Sequence, residues 1–168
     1  MTGINALTGL IFLAVFGLLH LLSHFSHWRL PFLAVSESVW EHLKMAFWAF
    51  PMAYAGVWVL RPGANVIAIF SGSVFTVAVL FALYYVMITV LGTSIHAHKA
   101  LYVAVIIPLT FLAGWIGAES CVFQERAPVG FGGSVAIAIT WALMLFLFTV
   151  FTYVKPGIAL FTLERPEP

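Results

Sequence analysis

The sequence predicts an all-α polytopic membrane protein, a bundle of about five transmembrane helices. Hydrophobic residues make up 63% of the 168 residues and charged residues only 8%, whereas a soluble domain carries about 25% charged residues. The mean hydropathy is +1.09. Apolar stretches of about 20 residues, the length that a helix needs to cross a bilayer, recur between short polar segments. A soluble enzyme and a disordered tail are therefore excluded.

The charge balance and the cysteine count narrow the function classes further. The chain has seven Lys and Arg residues and six Asp and Glu residues, so its formal net charge is +1. A nucleic-acid-binding protein normally has an excess of clustered basic residues, and this charge balance does not provide one. The single cysteine, Cys121, forms neither an internal disulfide nor a cysteine-rich metal site. We expect membrane lipids around the chain and no nucleic-acid partner, and we leave a homo-oligomer or a larger membrane complex open.

The first helix is expected over 4–25. It lacks a basic segment before it and a small-residue cleavage motif after it, so we expect a retained helix and not a signal peptide. The remaining helices are expected over 38–60, 66–91, 100–118 and 134–154, within one integral membrane domain that covers 1–168. Gly- and Pro-containing segments end each of them, and Pro51 and Pro108 should kink the second and fourth helices.

The basic residues predict the orientation of these five spans. We call the side that holds the N-terminus side A and the other side B. Side B carries five basic residues, Arg29, Lys44, Lys99, Lys155 and Arg165. Side A carries two, Arg61 and Arg126. The positive-inside rule makes side B cytoplasmic. We therefore expect a protein of the cytoplasmic membrane with its N-terminus outside and its C-terminus in the cytoplasm.

All the histidines fall on side B. They are His20, His24, His27, His42, His96 and His98. The first three follow i, i+4, i+7 spacing, which puts their rings on one stripe of a helix. Glu37, Glu41 and Lys44 repeat that spacing on the second helix. Helices joined by a short connection are normally neighbours, so a His stripe should face a helix start rich in Glu and His.

Such a set of ligands predicts a metal site. Imidazole with carboxylate suits zinc, iron or manganese better than calcium or copper(I), and we expect a divalent metal, zinc first, on His20, His24, His42 and Glu37. His20 lies roughly 7 Å inside the helix end at 1.5 Å per residue. An ionisable group at that depth is a candidate for function by default.

Simpler interpretations exist for several of these residues. Ser38 and Glu41 form a capping-box pattern, in which Ser38 caps the second helix and Glu41 reaches back to it. Histidines at helix ends also serve as polar anchors among the headgroups, and this interpretation is the better one for His27, His96 and His98. Lys44 is expected to extend to the headgroups, with a carboxylate or a lipid phosphate as alternative partners.

Residues 36–44, Ser-Glu-Ser-Val-Trp-Glu-His-Leu-Lys, resemble a family of small prokaryotic multi-pass membrane proteins of unknown function. An Asn-Glu-Ser-Val-Trp-Glu-His-Leu-Lys segment marks that family, and Ser36 stands here where the family usually has Asn. A histidine near the end of the first helix, a proline after the segment and a C-terminal Pro-x-x-x-Leu-Phe stretch are similar too; they match His20, Pro51 and 156–161. The resemblance implies that Glu37, Glu41 and His42 belong to the family's site, and it supplies no activity.

A second likeness suggests a chemistry. Ser38-x-x-x-His42 and His20-x-x-x-His24 are similar to two motifs of the ceramidase and progestin-receptor-like membrane hydrolases, which bind zinc through three histidines and a water held by an aspartate. In this chain the two motifs come in the reverse order. We expect five spans where those hydrolases have seven, and the chain contains no aspartate. The likeness is an analogy of site chemistry only.

Three function classes follow. In the first, a metal-dependent hydrolase acts on a lipid or another amphiphile; the metal activates a water, and Glu37 or Glu41 takes its proton as general base. In the second, the chain is a non-enzymatic accessory or structural subunit of a larger membrane complex. The third is a haem-binding membrane protein with two histidine ligands from neighbouring helices. A transporter is disfavoured, because the third, fourth and fifth spans are expected to lack charged residues.

Overall fold

The computed structural model describes residues 2–25, 30–34, 38–58, 65–91 and 99–154, and these residues contain five helices and no strand. The helices are α1 (Thr2–Phe25), α2 (Val39–Trp58), α3 (Val66–Leu91), α4 (Lys99–Arg126) and α5 (Phe131–Tyr153). The all-helical fold class is therefore confirmed. Both α2 and α4 continue through their internal prolines, Pro51 and Pro108.

Four of these helices are long and apolar enough to cross a membrane. They are α1 (Asn5–Phe25), α3 (Val66–Val86), α4 (Ala104–Arg126) and α5 (Phe131–Tyr153). In α2, the polar side chains of Glu41, His42 and Lys44 lower the hydropathy. The membrane-like helical character is thus confirmed, and a fifth span formed by α2 stays a prediction.

The position of α2 explains its lower hydropathy. Six of its residues from the middle of the helix are wholly buried: Met45, Ala46, Phe47, Ala49, Phe50 and Ala53. It packs against α1, α3 and α4, and Phe47 contacts the rings of Trp141 and Phe148 on α5. A helix surrounded by other helices faces protein on most sides, so polar side chains in its first turns find protein partners instead of lipid.

Glycines set how closely α3 and α4 approach each other. A Cβ added at Gly117 would lie 2.7 Å from the ring of Phe50 and 2.9 Å from the backbone oxygen of Gly72. Small residues of this kind let membrane helices pack backbone against backbone. This close contact fixes α3 and α4 as a pair, and Phe50 of α2 packs into their junction.

The side A end of α4 differs from the prediction. The helix runs to Arg126 and not to Ala118, because its polar last turns find partners on neighbouring helices. Ser120 shares a hydrogen bond of 2.9 Å with Ser71 of α3, and Tyr54 of α2 donates to Glu125 at 3.0 Å. The expectation that the fourth span carries no charged residue is therefore wrong. The fifth helix begins at Phe131, three residues before the predicted start.

A substitution at Gly117 tests the close packing of α3 and α4. We expect Gly117→Ala to lower the free energy of unfolding by about 1–3 kcal/mol, the usual cost of overpacking. Gly56→Ala is the matched control, since nothing lies within 4 Å of a Cβ there, and replacing a helical glycine by alanine stabilises by roughly 0.5–1 kcal/mol. Denaturation in detergent micelles measures both, and equal stability of the two variants would contradict the packing described here.

Candidate metal centre

Three imidazole rings from two helices meet at the side B end of the bundle. The ring of His20 on α1 lies 5.0 Å from that of His24, centroid to centroid, in an edge-on arrangement. It also lies 5.2 Å from the ring of His42 on α2. We call His20, His24 and His42 the histidine cluster. Spacing along α1 brings the first two together, and packing of α1 against α2 adds the third.

The three rings of the histidine cluster differ in burial. His24 is exposed, whereas His20 and His42 are half-buried. On the inner side, the ring of Phe16 packs 6.4 Å from that of His42. A cavity of about 10 Å³, bordered by His42, Tyr84, Thr110 and apolar side chains, follows further in, and it is the size of one water molecule. His24 is thus the most exposed ring of the histidine cluster.

The first turn of α2 fixes the orientation of the His42 ring. The Nδ1 atom of His42 lies 2.9 Å from the backbone oxygen of Ser38. A carbonyl oxygen only accepts hydrogen bonds, so Nδ1 carries the proton and the neutral ring keeps its lone pair on Nε2. Metal-binding histidines are normally held in this way, with the second ring nitrogen donating to a carbonyl or a carboxylate.

Ser38 also begins α2 through its side chain. Its Oγ atom accepts a hydrogen bond of 3.4 Å from the backbone N–H of Glu41, which is the contact that a serine N-cap makes. The sequence pattern predicted this cap. It did not predict that the Ser38 carbonyl orients the His42 ring, because a backbone oxygen is present at every residue and cannot be recognised from residue types.

The carboxylate of Glu41 forms a buried ion pair. Glu41 Oε2 lies 2.6 Å from Lys44 Nζ, and both side chains are 0% exposed. The Lys44 ammonium also donates to Thr152 Oγ1 on α5 at 3.0 Å. The expectation that Lys44 extends to the headgroups is therefore wrong, and the alternative, a carboxylate partner, is found. Burial favours this outcome, because a charge that is out of water needs an opposite charge close by.

The ion pair affects which side chains are available to a metal. As a ligand or a general base, Glu41 would have to leave Lys44, so its predicted catalytic role now competes with a structural one. Glu37, the other predicted carboxylate, lies outside the described residues. His27, His96 and His98 lie outside them as well. The described candidates for metal ligands at this end of the bundle are the three rings of the histidine cluster.

Ser23 organises the connection between α1 and α2 and was missed in the sequence. Its Oγ atom accepts a hydrogen bond of 2.9 Å from the backbone N–H of Ala34 and donates to the Leu19 oxygen at 2.7 Å. Leu33, next to Ala34, is buried. The described part of the connection thus folds back onto α1. The position of Ser23 between His20 and His24 in the sequence was the feature that could have indicated this role.

No metal site is seen among the described side chains, although two of the ring separations in the histidine cluster can be compared with those at a zinc ion. Zn–N distances of about 2.0–2.1 Å and tetrahedral angles place the centroids of two imidazoles on one zinc about 5 Å apart. The centroid separations of His20 from His24 and from His42, 5.0 and 5.2 Å, match this value. Among the described side chains, however, no group of three His, Cys, Asp or Glu has a geometry that could hold a metal ion.

Comparison with known proteins adds no family to this geometry. No protein-family model, no curated protein and no solved structure matches the chain. The function must therefore be argued from the site itself.

The hydrogen bond between His42 and Ser38 predicts a particular tautomer. We expect the neutral His42 ring to carry its proton on Nδ1, because the Ser38 oxygen only accepts. The ¹⁵N chemical shifts of ring-labelled His42 measure this directly. Free histidine in water serves as the comparison, since the Nε2–H form is the commoner one there. A His42 ring protonated on Nε2 alone would contradict the assignment.

The buried ion pair predicts a strong dependence of stability on both partners. We expect Lys44→Met to lower the free energy of unfolding by about 3–5 kcal/mol, because it leaves the Glu41 charge in the interior without its ammonium. The double variant Glu41→Leu/Lys44→Met removes both charges and should recover most of that loss. Denaturation of both proteins in the same detergent is the measurement. A single variant as stable as the unaltered chain would show that the pair contributes nothing.

Proposed function

We propose that this integral membrane protein binds one divalent metal ion, zinc, through His20, His24 and His42, and that the metal serves to hydrolyse a lipid or another amphiphile. One observation supports the proposal most. The His42 ring is anchored through Nδ1 to the Ser38 carbonyl, and it contacts the ring of His20. This is the arrangement that outer partners impose on metal-binding histidines.

The ligand set favours zinc in a catalytic role over a structural one. Imidazole suits zinc among the available divalent metals. Structural zinc sites are closed by four protein ligands, whereas catalytic sites combine three protein ligands with a water molecule. Three histidines meet at the cluster, and the fourth position is left to water or to Glu37. An open position of this kind is what hydrolysis requires.

The chemistry follows from the bound water. The three histidines would hold the ion, which would supply a bound water of lowered pKa, about 7. A carboxylate would take the proton of that water and deliver it to the leaving group of a carbonyl or phosphoryl substrate. We assign that role to Glu37 in preference to Glu41, because the carboxylate of Glu41 is paired with Lys44 in the interior.

The surroundings of the cluster favour an amphiphile as substrate. On the last turns of α1, beside His24, Leu21 is 53% exposed and Phe25 76% exposed. Exposed apolar side chains at the end of a membrane helix face acyl chains and headgroups. A substrate that approaches the cluster from the lipid would keep its apolar part against this surface. The bias of Lys and Arg to side B supports a cytoplasmic position for the site.

An accessory or structural role is the second candidate, and the Glu41–Lys44 pair favours it. Two wholly buried charges connect α2 to α5, and these contacts involve none of the three histidines. A purely structural protein would keep its stability and its partners after the histidine cluster is altered. A metal-dependent enzyme would lose its metal and its activity while the fold persists.

Elemental analysis tests the proposed function. We expect about one zinc per chain after purification without added metal or chelator, and we expect His20→Ala and His42→Ala to lose most of it, since each removes one of three ligands. His96→Ala is the matched control, because that histidine is expected to be a headgroup anchor. Metal-free protein, or undiminished zinc in a folded His20→Ala variant, would overturn the proposal.

A further inference from the structure

We propose that α5 positions the histidine cluster, and that Thr152 does so through the buried pair Glu41–Lys44. The inference rests on the proposed metal site, which it deepens by assigning a positioning role to residues that touch neither the metal nor a substrate. Both members of that pair are wholly buried, and its lysine reaches a different helix.

The first turns of α2 pack against residues 148–152 of α5. Lys44 Nζ donates to Thr152 Oγ1 at 3.0 Å. The ring of Trp40 packs 4.7 Å from that of Phe148 and 5.4 Å from that of Phe151. Polar and aromatic contacts thus join the same two helix segments, and Thr152 provides the polar one.

Thr152 is itself held in a single orientation. Its Oγ1 atom donates to the backbone oxygen of Phe148 at 2.7 Å, so the hydroxyl proton is engaged and the lone pairs of the oxygen face the ammonium of Lys44. Thr152 is also buried. The hydroxyl therefore offers Lys44 a fixed acceptor, and Lys44 in turn fixes the carboxylate of Glu41.

The docked segment is the one that carries His42. Trp40, Glu41 and His42 are consecutive, and the first N–H groups of a helix have no acceptor within the helix itself. The position of this turn therefore depends on its cap and on its side-chain contacts. Because His42 Nδ1 is bonded to the Ser38 oxygen inside the same turn, a displacement of the turn carries the ring with it.

Thr149 provides a matched control for Thr152. Its Oγ1 atom donates to the backbone oxygen of Leu145 at 2.8 Å, the same intrahelical bond that Thr152 makes one turn later. The hydrogen bond from Lys44 goes to Thr152. Replacing either threonine by valine conserves shape and removes the same internal bond, so a difference between the two variants reports the contact with Lys44.

Cobalt binding to the full-length chain in detergent tests the inference. We expect Thr152→Val to weaken Co²⁺ binding about 10-fold, as the loss of an outer partner does at metal sites, and to change the visible absorption bands of the bound ion. Thr152→Ser keeps the hydroxyl and should restore both. Thr149→Val should bind Co²⁺ as the unaltered chain does.

The ¹⁵N signals of His42 in metal-free protein provide a second readout that needs no metal. We expect them to shift in Thr152→Val and to stay in place in Thr149→Val. If the two valine variants agree in cobalt affinity and in these signals, the positioning role is overturned while the metal site stands. If the unaltered chain binds no cobalt but the His42 signals respond to Thr152→Val, the metal function falls and the positioning of His42 by α5 stands.

Discussion

The burial of one lysine and one glutamate together is the constraint on which the rest of the structure depends. Both side chains are 0% exposed, and neither charge is tolerated in such surroundings without the other. Since α2 runs inside the bundle, the two charges must pair there, and Thr152 of α5 supplies a further polar contact. With α2 inside, its first turn lies against the end of α1, and His42 meets His20. The geometry of the candidate metal centre is thus a consequence of how these two charges are accommodated.

Much of the fold could be predicted from the sequence, because composition and apolar length are properties of whole segments. Five helices were expected and five are found in the described residues. The errors lie where tertiary contacts override local pattern. The fourth helix was expected to end at Ala118, but Ser71 and Tyr54 hold Ser120 and Glu125, and α4 continues to Arg126. The central position of α2 was equally hidden, because hydropathy reports how apolar a helix is and not which helices surround it.

The candidate site was predictable to the extent that it depends on spacing. Histidines four residues apart share a helix face, and a short connection makes two helices neighbours, so the meeting of His20, His24 and His42 follows from the residue order. The partners of Glu41 and Lys44 did not follow, since Thr152 lies 108 residues beyond Lys44 in the chain. The hydrogen bond from His42 to the Ser38 carbonyl could not be predicted either, because every residue has such a group. Sequence patterns therefore located the candidate ligands, and the structure supplied the groups that orient them.

The central claim is that three imidazoles share one metal ion at the end of α1 and the start of α2. X-ray absorption spectroscopy at the zinc edge, on full-length protein purified without added metal, tests it most directly. We predict three imidazole nitrogens at about 2.0–2.1 Å and one oxygen from water or a carboxylate. The absence of bound zinc, or zinc bound by fewer than three imidazoles, would contradict the claim.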